Sequence, residues 1–172
     1  MDRPRLARPL FDVVLVEPEI PNNTGNIGRT CVATGCRLHL VHPLGFDTGE
    51  KACRRAGLDY WPRLDLHEHA DWAGYAAGTD RNRVWLFSTK ADRDLYDAEL
   101  RRGDALVFGR ETRGLDPAIL AAFPGRLLRL PMLADERSLN LATVVCAAVY
   151  EGLRQCVSRR EISIGGDGRI VL

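Results

Sequence analysis

Residues 11–41, FDVVLVEPEIPNNTGNIGRTCVATGCRLHLV, decide the class of fold. The valine-rich apolar run 11–16, stopped at Pro18, reads as a strand buried on both faces. Asn23 and Thr24 are good helix caps, and the helix they open should stop near Gly35, a typical residue just past a helix end. Residues 37–41 read as a second strand, closed by Pro43. Outward from this unit, the spacing predicts a short helix over 51–56 and a short strand over 64–66. A helix follows over 70–77, then strands over 84–88 and 105–108. Asp116 and Pro117 start another helix, and 127–130 form a further strand. In the last helix, 140–155, Leu141, Val144, Val145, Ala148, Val149 and Leu153 recur at helical period and give one apolar stripe. From Cys156 the chain turns polar, with Gly165, Gly166 and Gly168, and reads as a flexible tail. Alternating strands and helices predict an α/β fold, a mostly parallel sheet with helices on both faces. Residues 1–10 are then an N-terminal extension, 11–155 the domain and 156–172 the tail.

The 172 residues, 45% apolar and 27% charged, suit one globular domain and are too few for an eight-fold βα barrel. Twenty-four basic and twenty-three acidic residues give a formal charge of +1, which offers no bulk attraction to nucleic acid. Only Lys51 and Lys90 are lysines, and the other twenty-two basic residues are arginines. Genomic base composition accounts for that bias, as does phosphate recognition by the planar guanidinium. Cys31, Cys36, Cys53, Cys146 and Cys156 are odd in number and contain no C-x-x-C pair. That argues against a disulfide framework or a structural zinc and fits a reducing cytosol. No apolar run approaches the ~20 residues that span a bilayer, and the N-terminus lacks a secretory signal pattern. His39/His42 and His67/His69 lack the spacing of metal ligands and read as structural or surface residues.

Ligands of open α/β sheets bind beyond the carboxyl ends of strands, so the informative segments follow Val16, Ser88, Phe108 and Leu130. None carries a dinucleotide glycine fingerprint, a P-loop or a serine-nucleophile elbow. The first segment, 17–29, has two prolines and then Gly25 and Gly28 where a helix should begin. Glycine there allows close backbone approach, free N–H groups at a helix start attract anions, and Arg29 lies about one turn inside. Gly109-Arg110-Glu111-Thr112-Arg113-Gly114-Leu115 follows a buried strand, and its plain reading is a surface turn with local salt bridges. The third, 130–141, leaves a strand and reaches Ser138 or Asn140 as cap of the long helix.

Taken in order, N-x-G-N-I-x-R, F-G-x-E-x-x-G-L and L-P-M-x-x-x-x-S-L-N-L resemble the three motifs of the SPOUT methyltransferases. The stretches at 14–30, Arg54–Tyr60 and Phe108–Leu115 are most similar to the small tRNA (cytidine/uridine-34-2′-O)-methyltransferases. The resemblance covers roughly 11–155, with Gly28 a mild departure. It implies an α/β fold with a deep C-terminal trefoil knot and S-adenosylmethionine as cofactor. It also implies a homodimer whose site is completed across the interface, and the tRNA anticodon stem-loop as partner.

Position by position, the resemblance implies a catalytic set of Arg29, Glu111, Ser138 and Asn140. Cofactor contacts would come from Phe87, Ser88, Thr89, Gly109, Glu111, Leu130, Pro131, Ser138 and Leu139, with Phe87 standing where a smaller aliphatic residue is expected. Arg29, Arg54, Arg55, Arg110 and Arg113 become RNA contacts, and Tyr60 is either a stacking platform or a core residue. The implied reaction is attack of a ribose 2′-oxygen on the sulfonium methyl. No metal is required, because the leaving group departs as a neutral thioether. Because guanidinium resists deprotonation, Arg29 is expected to clamp a phosphate and orient the hydroxyl. Two alternatives remain, 2′-O-methylation of another tRNA or rRNA site and a non-catalytic RNA-binding module. The short stretch before the first strand favours the minimal tRNA type.

Overall fold

The computed structural model describes residues 6–48 and 58–172. Among them, six strands form one sheet: β1 (Asp12–Val16), β2 (Arg37–Val41), β3 (Leu66–His69), β4 (Val84–Phe87), β5 (Ala105–Phe108) and β6 (Leu127–Leu128). Their spatial order is β3-β2-β1-β5-β4-β6, and every pairing is parallel. The α-helices are α1 (Pro21–Thr34), α2 (Trp72–Ala76), α3 (Pro117–Ala121) and α4 (Leu141–Ser158).

The two-residue period of each strand divides its side chains between two cores. Val13, Leu15, Leu38, Leu40, Leu106 and Phe108 point to the face covered by Ile27 and Cys31 of α1 and Val145, Ala148 and Val149 of α4. Val14, Val16, Leu86 and Val107 point to the opposite face, under Tyr75 of α2 and the half-buried Ile119 and Leu120 of α3. The expected sheet with helices on both faces is what the chain builds. Strand β5 lies between β1 and β4, so the chain leaves β1 toward one sheet edge and β5 toward the other. Ligand crevices occur at such reversals, at the carboxyl ends of the strands.

Several boundaries differ from the sequence expectation. Helix α1 begins at Pro21, so Asn23 and Thr24 are buried within it rather than capping it. Proline supplies the preset φ of a first helical residue and has no N–H to satisfy. Gly35 ends α1 in the left-handed conformation, φ 69°. Strand β3 occupies Leu66–His69 rather than 64–66, because Leu64 is claimed by the α1-side core. The strands expected over 84–88 and 127–130 and the helix over 70–77 are each shorter than expected. The helix expected over 51–56 lies outside the described residues.

Helix α4 runs on to Ser158, and the expected flexible tail forms a hairpin, β7 (Ser163–Ile164) with β8 (Ile170–Val171). Cys156 and Ile162 are buried and Ile170 packs on the same core. Two buried apolar side chains and one half-buried one anchor a stretch whose glycines suggested looseness. The N-terminal extension is also tied in, since Leu10 is fully buried and bonds to both Gly35 and Gly103.

Cys31, Cys36 and Cys156 are free and buried. Burial pushes the Cys36 thiol up to about 12 and that of Cys156 to about 11, so both pack as small apolar groups. At the β3 edge, His39 lies between Asp12 (Nε2 to Oδ1, 3.3 Å) and His69 (Nδ1 to Nε2, 2.9 Å), and stacks on His67. No helix among the described residues is long and apolar enough to cross a membrane.

Two outcomes are expected. A Cβ on Gly152 would lie 2.4 Å from the buried Phe11 ring. Gly152→Ala should therefore lower the urea-measured unfolding free energy by about 1–3 kcal/mol through overpacking. His69 titrates below the usual imidazole value because of its burial and then the charges of His39 and His67. A depressed folded-state pKa gives stability that is full above ~6.5 and lost as pH falls. Urea midpoints of wild type should fall in this acid window, and His69→Gln should fall less. Identical profiles would refute the assignment.

Candidate active site

The three segments singled out by sequence meet at the carboxyl ends of β1, β5, β4 and β6, around a cavity of about 550 Å³. Its wall includes Phe87 at the end of β4 with Ser88 and Thr89 after it, Gly109 to Leu115 after β5, Leu130 after β6, and Ser138 to Leu141 at the start of α4. Ile20 and Asn23 close the side toward α1. Phe87 stacks on Phe108 with ring centroids 4.5 Å apart, which makes an apolar floor.

The segment after β5 is a closed loop. Arg110 and Gly114 exchange backbone hydrogen bonds of 3.2 and 2.9 Å. Gly114 has φ 70°, and a Cβ on Gly109 would lie 2.1 Å from the Gly114 carbonyl carbon. Both bracketing glycines are therefore required by geometry, one for its dihedral and one for lack of room.

Glu111 projects from this loop to the start of α1. One carboxylate oxygen accepts from the Glu19 N–H at 2.9 Å; the other accepts from the Ile20 N–H at 3.2 Å and Asn23 Nδ2 at 3.0 Å. Ile20, at the cap position, offers no side-chain cap of its own. The anion attracted to this helix start is thus a carboxylate from 91 residues away, and the helix dipole favours it there by ~0.3–1 kcal/mol.

Asn23 is the hub that sequence reading missed. It donates to Glu111 and accepts from Asn140 Nδ2 at 2.9 Å, while Asn140 Oδ1 caps α4 through the N–H groups of Ala142 and Thr143. The buried amide therefore joins all three segments. Its signal in the sequence was a polar residue where a buried helix face was due, masked by the helix start assumed one turn too late. Glu19 returns the contact, accepting from the backbone and hydroxyl of Thr112 at 2.9–3.0 Å.

Of the expected catalytic set, Glu111, Ser138 and Asn140 line the cavity and Arg29 does not. Arg29 lies on the exposed face of α1 with Asn22 and Asn26. Its guanidinium covers the Tyr60 ring at 4.3 Å and pairs loosely with Asp59 at 3.7 Å. Tyr60 is a core residue, bonded through its hydroxyl to the Gly25 carbonyl. Among the expected cofactor contacts, Pro131 is exposed and stands outside the lining, because the turn points it to solvent while Leu130 and Met132 face in. Of the expected RNA contacts, Arg113 is exposed at the cavity, Arg110 is paired with Glu17, and Arg54 and Arg55 lie outside the described residues.

The chain is similar to known proteins along most of its length. The model of the SpoU rRNA methylase family matches residues 11–150. A tRNA (cytidine(34)-2′-O)-methyltransferase of Saccharophagus degradans is 47% identical over 147 residues, 85% of this chain and 96% of that protein. A solved structure described as giving insight into the 2-OH methylation of C/U34 on tRNA superposes with a TM-score of 0.81. It is 46% identical, over 88% of this chain and 99% of that one. The methyltransferase AviRb of Streptomyces viridochromogenes, solved with the cofactor AdoMet, superposes with a TM-score of 0.70 at 25% identity. There the match covers 89% of this chain and 63% of that one. With its family pattern extending from the first strand to the last helix, the chain belongs to the SpoU rRNA methylase family.

Proposed function

We propose that the protein transfers a methyl group from S-adenosylmethionine to the ribose 2′-hydroxyl of nucleotide 34, cytidine or uridine, in the tRNA anticodon loop. The observation that carries this reading is the 47% identity, over 85% of the chain, to a tRNA (cytidine(34)-2′-O)-methyltransferase. The site is consistent with it. A cavity of about 550 Å³ is of the size that holds a small-molecule cofactor, and the Gly109 turn brings backbone to its wall with no side chain between.

In this reading the walls after β4, β5 and β6 hold the adenosine end through backbone groups at Phe87, Gly109 and Leu130. Ser88 and Thr89 form the wall beside them, and Ser138 and Leu139 face the methionine end. When bound, the cofactor supplies a methyl group activated by a cationic sulfur. The protein's work is alignment of the incoming hydroxyl, which can supply several kcal/mol of the barrier. Glu111 and Asn23 fix the entrance of α1 against the loop after β5. Asn140, held by Asn23, and Ser138 would orient the ribose, and the exposed Ser138 hydroxyl would hand its proton on to solvent.

Arg29 clamps the neighbouring phosphate. Its distance from the cavity of its own chain supports a homodimer in which each Arg29 serves the partner's cavity. Exposed Ile20 and Leu139 on the wall of the same cavity are apolar surface that such a contact would cover. A C-terminal segment threaded as a trefoil knot, and residence in a reducing cytosol, belong to the same reading.

Incubation of the protein with tRNA and S-adenosylmethionine, followed by nuclease digestion and mass spectrometry, should place one 2′-O-methyl group at position 34. Methylation only elsewhere, or none, would overturn the assignment. Asn23→Ala should reduce turnover by roughly 10²-fold, the scale of a small misplacement of reacting groups, with calorimetric S-adenosylmethionine binding retained. Arg29→Lys should lower turnover and leave cofactor affinity unchanged. Wild-type turnover in that variant would remove the two-pronged phosphate clamp.

A further inference from the structure

Five basic side chains line the cavity: Lys90, Arg110, Arg113, Arg129 and Arg137. Glu111 is the one acidic residue among the described residues of the lining, and its carboxylate is already occupied by three donors of the α1 start. Arg110 is paired with Glu17, and Arg129 with Asp94 at 2.7 Å. The other three cations, Lys90, Arg113 and Arg137, make no side-chain hydrogen bond or ion pair among the described residues. Asp135 and Glu136 precede Arg137 in sequence yet stand outside the lining. In a chain of formal charge +1, three uncompensated cations at one mouth are a local concentration that overall composition hides.

We propose that Lys90, Arg113 and Arg137 form a phosphate-binding rim that holds the RNA backbone on either side of the nucleotide entering the cavity. The three stand on separate segments, after β4, after β5 and before α4, and all are exposed. A single carboxylate is satisfied by one or two such groups, whereas an extended polyanion engages all three at once. Guanidinium also matches the geometry of a phosphodiester, which suits Arg113 and Arg137. Arg110 is a strut rather than a contact, because its charge is spent on Glu17. The proposal rests on the RNA-methylating reading above and adds to it the residues that hold the strand.

Binding of an anticodon stem-loop RNA, followed by fluorescence anisotropy between about 50 and 200 mM salt, tests it through the slope of log affinity against log salt. Each of Lys90→Gln, Arg113→Gln and Arg137→Gln should reduce the slope by about 0.7–0.9, and the triple variant by about 2–3. Arg169→Gln, on the C-terminal hairpin and 86% exposed, should leave it unchanged. Calorimetric binding of S-adenosylhomocysteine should be the same in every variant and serves as the check on folding. An unchanged slope in the triple variant overturns the rim. So does weakened S-adenosylhomocysteine binding at unchanged slope, which would assign the cations to the cofactor's carboxylate. If the substitutions lower the slope but the wild type methylates no RNA, the rim stands and the transferase reading falls.

Discussion

The carboxylate of Glu111, set against the first turn of α1, holds together the three segments that meet at the cavity. Three donors converge on it, and hydrogen bonds to a charged group contribute about 1.5–3 kcal/mol each when well made. Its partners belong to the segment after β1, and Asn23 extends the link to the cap of α4. Helix α1 lacks a side-chain cap of its own, so its start is satisfied only when β5 and its loop are in place. Capping of the α1 start and assembly of the cavity wall thus rest on the same contacts.

The sheet supplies the setting. Insertion of β5 between β1 and β4 places the loops after β1, β4, β5 and β6 at one end. Those loops are then free to be polar or glycine-rich, because the two cores are completed by the alternating apolar residues of the strands. The Gly109 turn illustrates the division of labour. It follows a fully buried strand, and its tightness comes from backbone exchange between Arg110 and Gly114 rather than from side chains.

Much of this was legible in the residues. Apolar runs ended by proline or glycine marked β1, β2 and β5, the apolar run from Val84 marked β4, and the stripe from Leu141 to Leu153 marked α4. The three strand-end segments were readable by order and spacing, and Glu111, Ser138 and Asn140 do meet at one cavity. What could not be read was long-range. Nothing local indicates that a carboxylate 91 residues away caps α1, so the sequence alone marks Asn23 as a cap and hides its role as a link. Arg29 looked adjacent in sequence to the anion site but faces outward, because helical periodicity places it with Asn22 and Asn26. The C-terminal hairpin escaped because three anchoring apolar residues are too few to show a period.

The Glu111–Asn23–Asn140 link also has a kinetic meaning. Its hydrogen bonds join residues 88 and 117 positions apart, and closing loops of that length costs chain entropy. The cavity is therefore absent from any partly folded form that keeps only the β1-α1-β2 unit. Occupancy by a small molecule selects the completed fold and stabilises it by mass action. Cofactor supply and protein lifetime are thereby coupled, since a chain short of its ligand spends more time in states that lack the site.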